Sequence, residues 1–420
     1  MPADIHLDDL AAPVLPEAVR ALNAVSVEEA RRRVPLDEMS VLAEARAAAD
    51  LEDFGSEFFR EGLSVLLAAL EAEAELTLLG RMSARSQIVK LLVNRLRLEA
   101  AVVRHPEALR VPIERPVIIV GLPRTGTSHL HNLLSGHPDL RFLPYWESSE
   151  PIAADGDVAR PGAPDPRIAR IQAGLDQGMA LIPHQQAMHE IDALTPHEEI
   201  GFFSMDFACP IFFTSFKVPS YRAWYRKTDI TRSYAYARRV LQVVSFLRDG
   251  GKRWVLKSPM HLERLVSLMK TYPDARVVMS FRDPARVVLS MAIMTAYGRR
   301  LVQQTIDPIY IGRQVADNVQ DRFDAAVRDL HAVPVEQRCD VHFEAYMKDP
   351  MTAVRRVLEF AGLDASDATM ERMRAYQDAH PRGKFGRVVY RYEDVGIDPA
   401  ELRARARRYI ETFGLAHEAD

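Results

Sequence analysis

Hydrophobic spacing divides the chain into two unlike stretches. In residues 1–110 leucines recur at helical intervals, as in GLSVLLAALEAEAELTLLG and SQIVKLLVNRLRLEA, with few glycines or prolines between them. That spacing predicts a region that is helical throughout. From residue 111 onward the pattern changes to short apolar runs followed by helix-period segments. Val117 to Val120 is a run of four β-branched residues closed by Gly121, the form of a strand buried on both faces. Leu130, Leu133 and Leu134 then fall at i, i+3 and i+4, and Gly136 is placed as the stop of that helix. Leu140 to Pro144 reads as a second strand. WVLKSP and ARVVMSF give two more, ending in Lys257 and Arg282, and Asp283 with Pro284 supplies the N-cap and first position of another helix. The alternation predicts an α/β core with a parallel sheet.

Two stretches break this rhythm. Residues 152–175 are rich in proline, glycine and aspartate and read as an irregular connection. Residues 176–236 form an insertion that holds eleven of the 33 aromatic residues, all between Phe202 and Tyr236. Such density serves either core filling or the wall of an apolar acceptor pocket, and spacing does not choose between them.

Composition removes several functions. Lys and Arg total 54 against 58 Asp and Glu, a net charge of −4, which gives no electrostatic reason to expect nucleic acid or an anionic membrane as partner. Cys209 and Cys339 are too few for a disulfide framework. MPADIHLDDL lacks the basic and apolar segments of a signal peptide, and nowhere do 18 apolar residues run together. These features predict a soluble cytoplasmic protein with no integral membrane segment. The N-terminal region, with Arg81, Arg85 and Arg95 read as a solvated helix face, is assigned to packing against the core or to homo-oligomer contacts.

Candidate chemistry collects at the strand ends. The loop GLPRTGTS is almost a Walker A motif: Gly121 and Gly126 keep its spacing, but Thr127 stands where the lysine belongs and the cation has moved back to Arg124. Backbone N–H groups converging at a helix N-terminus suit an anion. An ordinary strand-turn-helix without a ligand is the competing reading. Glu147 sits beyond the second strand, where parallel sheets place ligands, or else answers a helix dipole. Arg282 and Ser290 can converge on one anion; an ion pair of Arg282 with Asp283 or Asp307 is the alternative. His184, His189, His197, Glu198 and Glu199 lie in the insertion, but no pair has a recognised zinc spacing.

GLPRTGTS, HPDLRFLPYWE, LKSPMHLERLVSLMKTYPDARVVMSFRDPARVVLSM, FEAYMKDP and PRGKFGRVVYRYEDVGID together resemble the successive blocks of the sulfotransferase family. The likeness is to its bacterial branch, extends to tyrosylprotein sulfotransferases in the PRTGTS and HPD blocks, and spans residues 45–415. It implies a P-loop-type three-layer α/β/α core over residues 111–420, preceded by the helical region 1–110. It also implies 3′-phosphoadenosine 5′-phosphosulfate, PAPS, as sulfuryl donor. By the same resemblance Arg124, Thr125, Gly126, Thr127 and Ser128 hold the 5′-phosphosulfate, and Arg282 and Ser290, eight apart, hold the 3′-phosphate. A C-terminal glycine-containing loop corresponds to Arg382, Gly383, Lys384, Phe385 and Gly386, with Pro381 and Arg382 departing from the family's pair. Arg124 and Lys257 would neutralise charge on the leaving phosphate. Glu147 matches the family's glutamate base, with His261 and His189 as competitors. The strand ends Gly121, Lys257 and Arg282 offer no aspartate for Mg²⁺, so no metal is expected. The expected acceptor is a hydroxyl on a small lipophilic alcohol or phenol. A P-loop kinase or NTPase, or a catalytically silent nucleotide-binding protein, are the alternatives.

Overall fold

The computed structural model describes residues 4–157, 163–248, 251–379 and 385–418. Seven strands occur among them: β1 (Asp4–Ile5), β2 (Val117–Gly121), β3 (Leu140–Arg141), β4 (Arg253–Lys257), β5 (Arg276–Phe281), β6 (Arg338–His342) and β7 (Arg387–Val388). Five of these form one parallel sheet in the order β3-β4-β2-β5-β6. The central strand is β2. In register, Ile119 lies between Lys257 and Val278, and Gly121 pairs with Ser280. The chain fills one side of β2 with β3 and β4, then crosses to the other side with β5. That reversal opens a crevice at the carboxyl ends of β2, β4 and β5, where open α/β sheets place ligands.

Alternate residues of the central strand pack into different layers, as the two-residue period of a strand requires. Val117 and Ile119 join Leu130, Leu133, Val354, Leu358 and Met370 from the helices Thr127–Ser135, Pro350–Ala361 and Asp367–Ala379. Ile118 and Val120 face the opposite layer, with Leu241, Leu289 and Val319 from the helices Thr231–Leu247, Pro284–Arg299 and Pro308–Asp329. The result is a three-layer α/β/α core. A helical region over Glu17–Arg104 precedes it, and leucines of the helices Phe59–Ala72 and Leu78–Arg104 merge into the second of these layers.

Several local expectations are corrected. Residues 1–110 are not helical throughout, because β1 pairs in parallel with β7 through Ile5 and Val388. A two-residue strand is too short to leave a period. The strand at Leu140 ends at Arg141, and Tyr145–Ser149 is already helical. A helix begins at Pro166, capped by Asp165, inside the stretch read as irregular. Gly136 ends its helix, but with φ −76° rather than a left-handed turn.

Arg81 and Arg95 do not lie on a solvated face. Arg95 is fully buried; its guanidinium donates to the carbonyls of Phe54 and Ser56 and to Asp206, between the rings of Phe59 and Tyr236. An arginine can occupy a core position when its donors are met in this way. Of the insertion's aromatic side chains, Phe202, Phe203, Phe207, Phe212, Tyr221, Tyr225 and Tyr234 are also buried, stacked on one another and on the N-terminal helices. Their density is core filling.

Candidate active site

Between β2 and the helix Thr127–Ser135, the loop turns on two residues with positive φ, Arg124 at 72° and Gly126 at 84°. Arg124 bears a side chain in a conformation that only glycine adopts freely, a strain that persists where the surroundings fix it. Those surroundings are hydrogen bonds. Thr125 Oγ1 donates to the Leu122 carbonyl at 2.7 Å, Ser280 Oγ to the Thr125 carbonyl at 2.6 Å, and Arg282 Nη1 to the Arg124 carbonyl at 2.8 Å. Space constrains both glycines as well, Gly121 the more severely. A Cβ on Gly121 would stand 2.7 Å from the Ser280 carbonyl oxygen, and one on Gly126 would stand 3.2 Å from the Tyr346 ring. The loop is held as a rigid cradle at a helix N-terminus, and no acidic residue lies in that helix's first turn.

Two cavities adjoin this cradle. One, of about 650 Å³, is lined by His129, Asn132, Arg282, Phe343, Gln377 and Gly386. The other, of about 480 Å³, is walled by Ile182, Ile200, Ile211, Met260, Met291 and Met294. Arg124, Thr127, Ser128 and His189 line both. Only Phe216 among the clustered aromatics reaches the second cavity, whose wall is aliphatic instead. Arg299, at its margin, has its donors met by the carbonyls of Phe213 and Phe216 and by Gln314.

Two adjacent glutamates diverge at the boundary between the cavities. Glu198 faces the aliphatic cavity and accepts from Lys257 Nζ at 2.5 Å. Glu199 turns inward: one oxygen accepts from the Lys257 backbone N–H at 3.1 Å, and the other lies 2.6 Å from His261 Nε2. Lys257 is thus gripped by side chain and backbone. His261 is buried, and its Nδ1 meets the Tyr234 hydroxyl at 2.8 Å, so both ring nitrogens are committed and the ring lines neither cavity.

The other sequence-predicted residues divide between the site and its surroundings. Arg124 donates from Nε to Ser290 Oγ at 2.9 Å and from Nη1 to the Met188 carbonyl at 2.6 Å, which brings Arg124, Ser290 and Arg282 together. Ser290 itself is buried and lines neither cavity. His189 stands at the junction, its pKa pushed down to about 4 by desolvation and then by Lys257 and Arg124, against the pull of Glu198. Glu147 is elsewhere. It is buried, bonded to Arg248 at 2.9 Å and 3.7 Å from Arg141, and it lines neither cavity. Burial raises its pKa, and the two arginines oppose that. Arg382, Gly383 and Lys384 lie outside the described residues, while Phe385 and Gly386 line the larger cavity. The residue missed as an acid–base candidate is Glu198; the adjacent carboxylates after His197 were weighed only as metal ligands. Among the described residues no group of three or more His, Cys, Asp and Glu converges as metal ligands would, and no helix is long and apolar enough to cross a membrane.

Comparison with known proteins accounts for this architecture. The family model described as the sulfotransferase family matches residues 116–367. The sulfotransferase STF1 from Mycobacterium tuberculosis H37Rv is similar at 28% identity, over 92% of this chain and 99% of its own, with a TM-score of 0.76. STF9 from Mycobacterium avium is similar at 27% identity, over 92% of this chain and 98% of its own, with a TM-score of 0.82. No curated protein matches significantly. The family match covers more than half of the chain, across every strand of the main sheet, and the chain belongs to the sulfotransferase family.

Proposed function

We propose that this enzyme transfers the sulfuryl group of PAPS to the hydroxyl of a small apolar alcohol or phenol. The observation that carries the reading is the meeting of a more polar cavity with an aliphatic one at Arg124, Thr127, Ser128 and His189. In-line transfer needs donor and acceptor on opposite sides of one point, and this junction provides it. The larger cavity fits the nucleotide donor: it borders the rigid cradle, and Arg124 and Arg282 stand on its wall. Thr125 to Ser128 with Arg124 would hold the 5′-phosphosulfate, and Arg282 the 3′-phosphate, with Ser290 acting through Arg124. The donor supplies the sulfuryl group and leaves as 3′,5′-adenosine bisphosphate.

Within this reading Lys257 and Arg124 stabilise the negative charge that develops on the leaving phosphate. The acceptor's proton goes to a carboxylate at the junction. Glu198 replaces Glu147 in that role, because it alone of the two faces the acceptor cavity. Its bond to Lys257 couples the two halves of the reaction: once Lys257 turns to the phosphosulfate, the Glu198 carboxylate is released to accept the proton. Glu199 and His261 hold Lys257 in place, and His189, neutral near pH 7, lends a hydrogen bond at the same point.

Incubation with PAPS and a panel of neutral alcohols and phenols, read by mass spectrometry, tests the proposal. A product heavier by one sulfuryl group, made together with the bisphosphate, is the expected result. Transfer only to charged or sugar acceptors would contradict the apolar acceptor.

A further inference from the structure

The fork of Arg282 is already taken. Its Nε and Nη2 donate to the two carboxylate oxygens of Glu418 at 2.7 and 2.8 Å, the parallel pairing that a guanidinium offers equally to carboxylates and to phosphates. The remaining bond from Arg282 goes to the Arg124 carbonyl, and the Phe343 ring covers one guanidinium face at 3.9 Å. Backbone bonds seat the segment independently of that side chain: Glu418 N donates to Asp283 Oδ2 at 2.9 Å, and Arg403 Nη2 donates to the Glu418 carbonyl at 3.1 Å. Arg403 also donates to Asp283 at 2.8 Å. Among the described residues, Arg282 and Arg403 are thus bonded to the carboxylates of Asp283 and Glu418. Asp283 stays ionised, because burial raises its pKa less than Arg403 and the two backbone N–H groups lower it.

A phosphate arriving at Arg282 would therefore meet a cation whose charge is already answered. Resting on the reading above that Arg282 receives the donor's 3′-phosphate, we propose that Glu418 is an internal competitor for that phosphate. Its carboxylate holds the Arg282 fork while the nucleotide site is empty, yields it to the donor, and retakes it as the bisphosphate leaves. No bond is made or broken in this exchange. Its effect falls on donor and product alike, since both carry the same 3′-phosphate, and it hastens release of the bisphosphate at the expense of affinity. Release of product sets the turnover of many enzymes, so a competitor carried in the chain acts where it matters.

The test is calorimetric titration of the full chain, Glu418→Gln and Glu418→Ala with 3′,5′-adenosine bisphosphate and with 5′-AMP. Each variant keeps the backbone bonds of residue 418, so the seat of the segment is preserved. Loss of one half-buried ion pair is expected to tighten the bisphosphate by roughly three- to tenfold, with 5′-AMP unchanged within about twofold. Bisphosphate affinity that is unchanged or weaker in both variants overturns the proposal. Arg282→Ala separates the two ways of failing. If it weakens the bisphosphate but not 5′-AMP, the 3′-phosphate assignment stands whatever Glu418 does. If it affects both ligands equally, the assignment falls and the competitor falls with it.

Discussion

Lys257 Nζ and Glu198 Oε1 meet at 2.5 Å where the aliphatic cavity reaches the cradle loop. Lys257 is almost fully buried, and Glu198 is slightly more exposed on the cavity side. Pairing of this kind offsets the desolvation cost of placing a lysine and a carboxylate together in a largely buried junction.

Glu198→Gln removes the proposed base and keeps the shape. Turnover should fall by roughly 10²- to 10⁴-fold while bisphosphate affinity stays within about threefold. Glu147→Gln should instead lower the melting temperature, because it disturbs a buried carboxylate paired with Arg248, and leave turnover nearly intact. Steady-state kinetics and thermal melts of both variants check this. A folded Glu147→Gln enzyme with the large loss, beside an active Glu198→Gln enzyme, would return the base to Glu147.

Glu199→Ala takes away the acceptor for the Lys257 backbone N–H and the partner of His261. The expected result is a loss of about ten- to a hundredfold in turnover with little change in the acceptor's KM, since Lys257 is misplaced rather than removed. Glu199→Gln, which keeps one acceptor oxygen, should recover part of it. Equal losses in both variants would assign the effect to charge rather than position.

Met294→Trp adds bulk to the aliphatic wall without touching the cradle. KM for large acceptors should rise severalfold while small phenols and the bisphosphate bind as before. Unchanged selectivity across acceptors of graded size would place the acceptor somewhere other than this cavity.

Stability should fall as pH drops below the normal histidine range. Desolvation first, then the charge of Lys257, pushes His131 down to about 3 and His189 to about 4, and His197 well below its usual value. Between those values and about 6.5 the unfolded chain binds more protons than the folded one, so the stability these neutral rings contribute is complete above about pH 6.5 and is lost progressively below it. The fully buried His131 contributes up to about 1.4 kcal/mol per pH unit of this dependence. Urea midpoints at pH 7 and pH 5 should differ by more in the native chain than in His131→Gln. Identical differences would show that His131 is not the group that titrates.

What could be read in the sequence follows from how much signal each feature leaves. The strands β2, β4 and β5 were visible as unbroken apolar runs because both faces of each are buried, and the loop at Gly121 was visible because glycine spacing is a backbone requirement. Asp283 and Pro284 announced their helix. Partnership at a distance leaves no such trace. Nothing in RLRLEA says that Arg95 is enclosed by Phe59, Tyr236 and Asp206, nor that aromatic residues 202–236 pack on N-terminal helices while isoleucine and methionine from five separate segments wall the cavity. Glu147 had the expected place after the HPD block, yet a short helix turned it toward Arg248. Glu198 and Glu199 are neighbours in sequence that face opposite ways, one into the cavity and one inward, a distinction that rests on which way one helical turn begins at Ile200.

The central claim concerns the donor, and one titration addresses it most directly: calorimetry with 3′,5′-adenosine bisphosphate and with ATP, each with and without Mg²⁺. Tight binding of the bisphosphate that does not depend on the metal, with weak binding of ATP, is the predicted result. A preference for ATP with Mg²⁺ over the bisphosphate would contradict the account, and the cradle at Gly121 would then serve a nucleoside triphosphate.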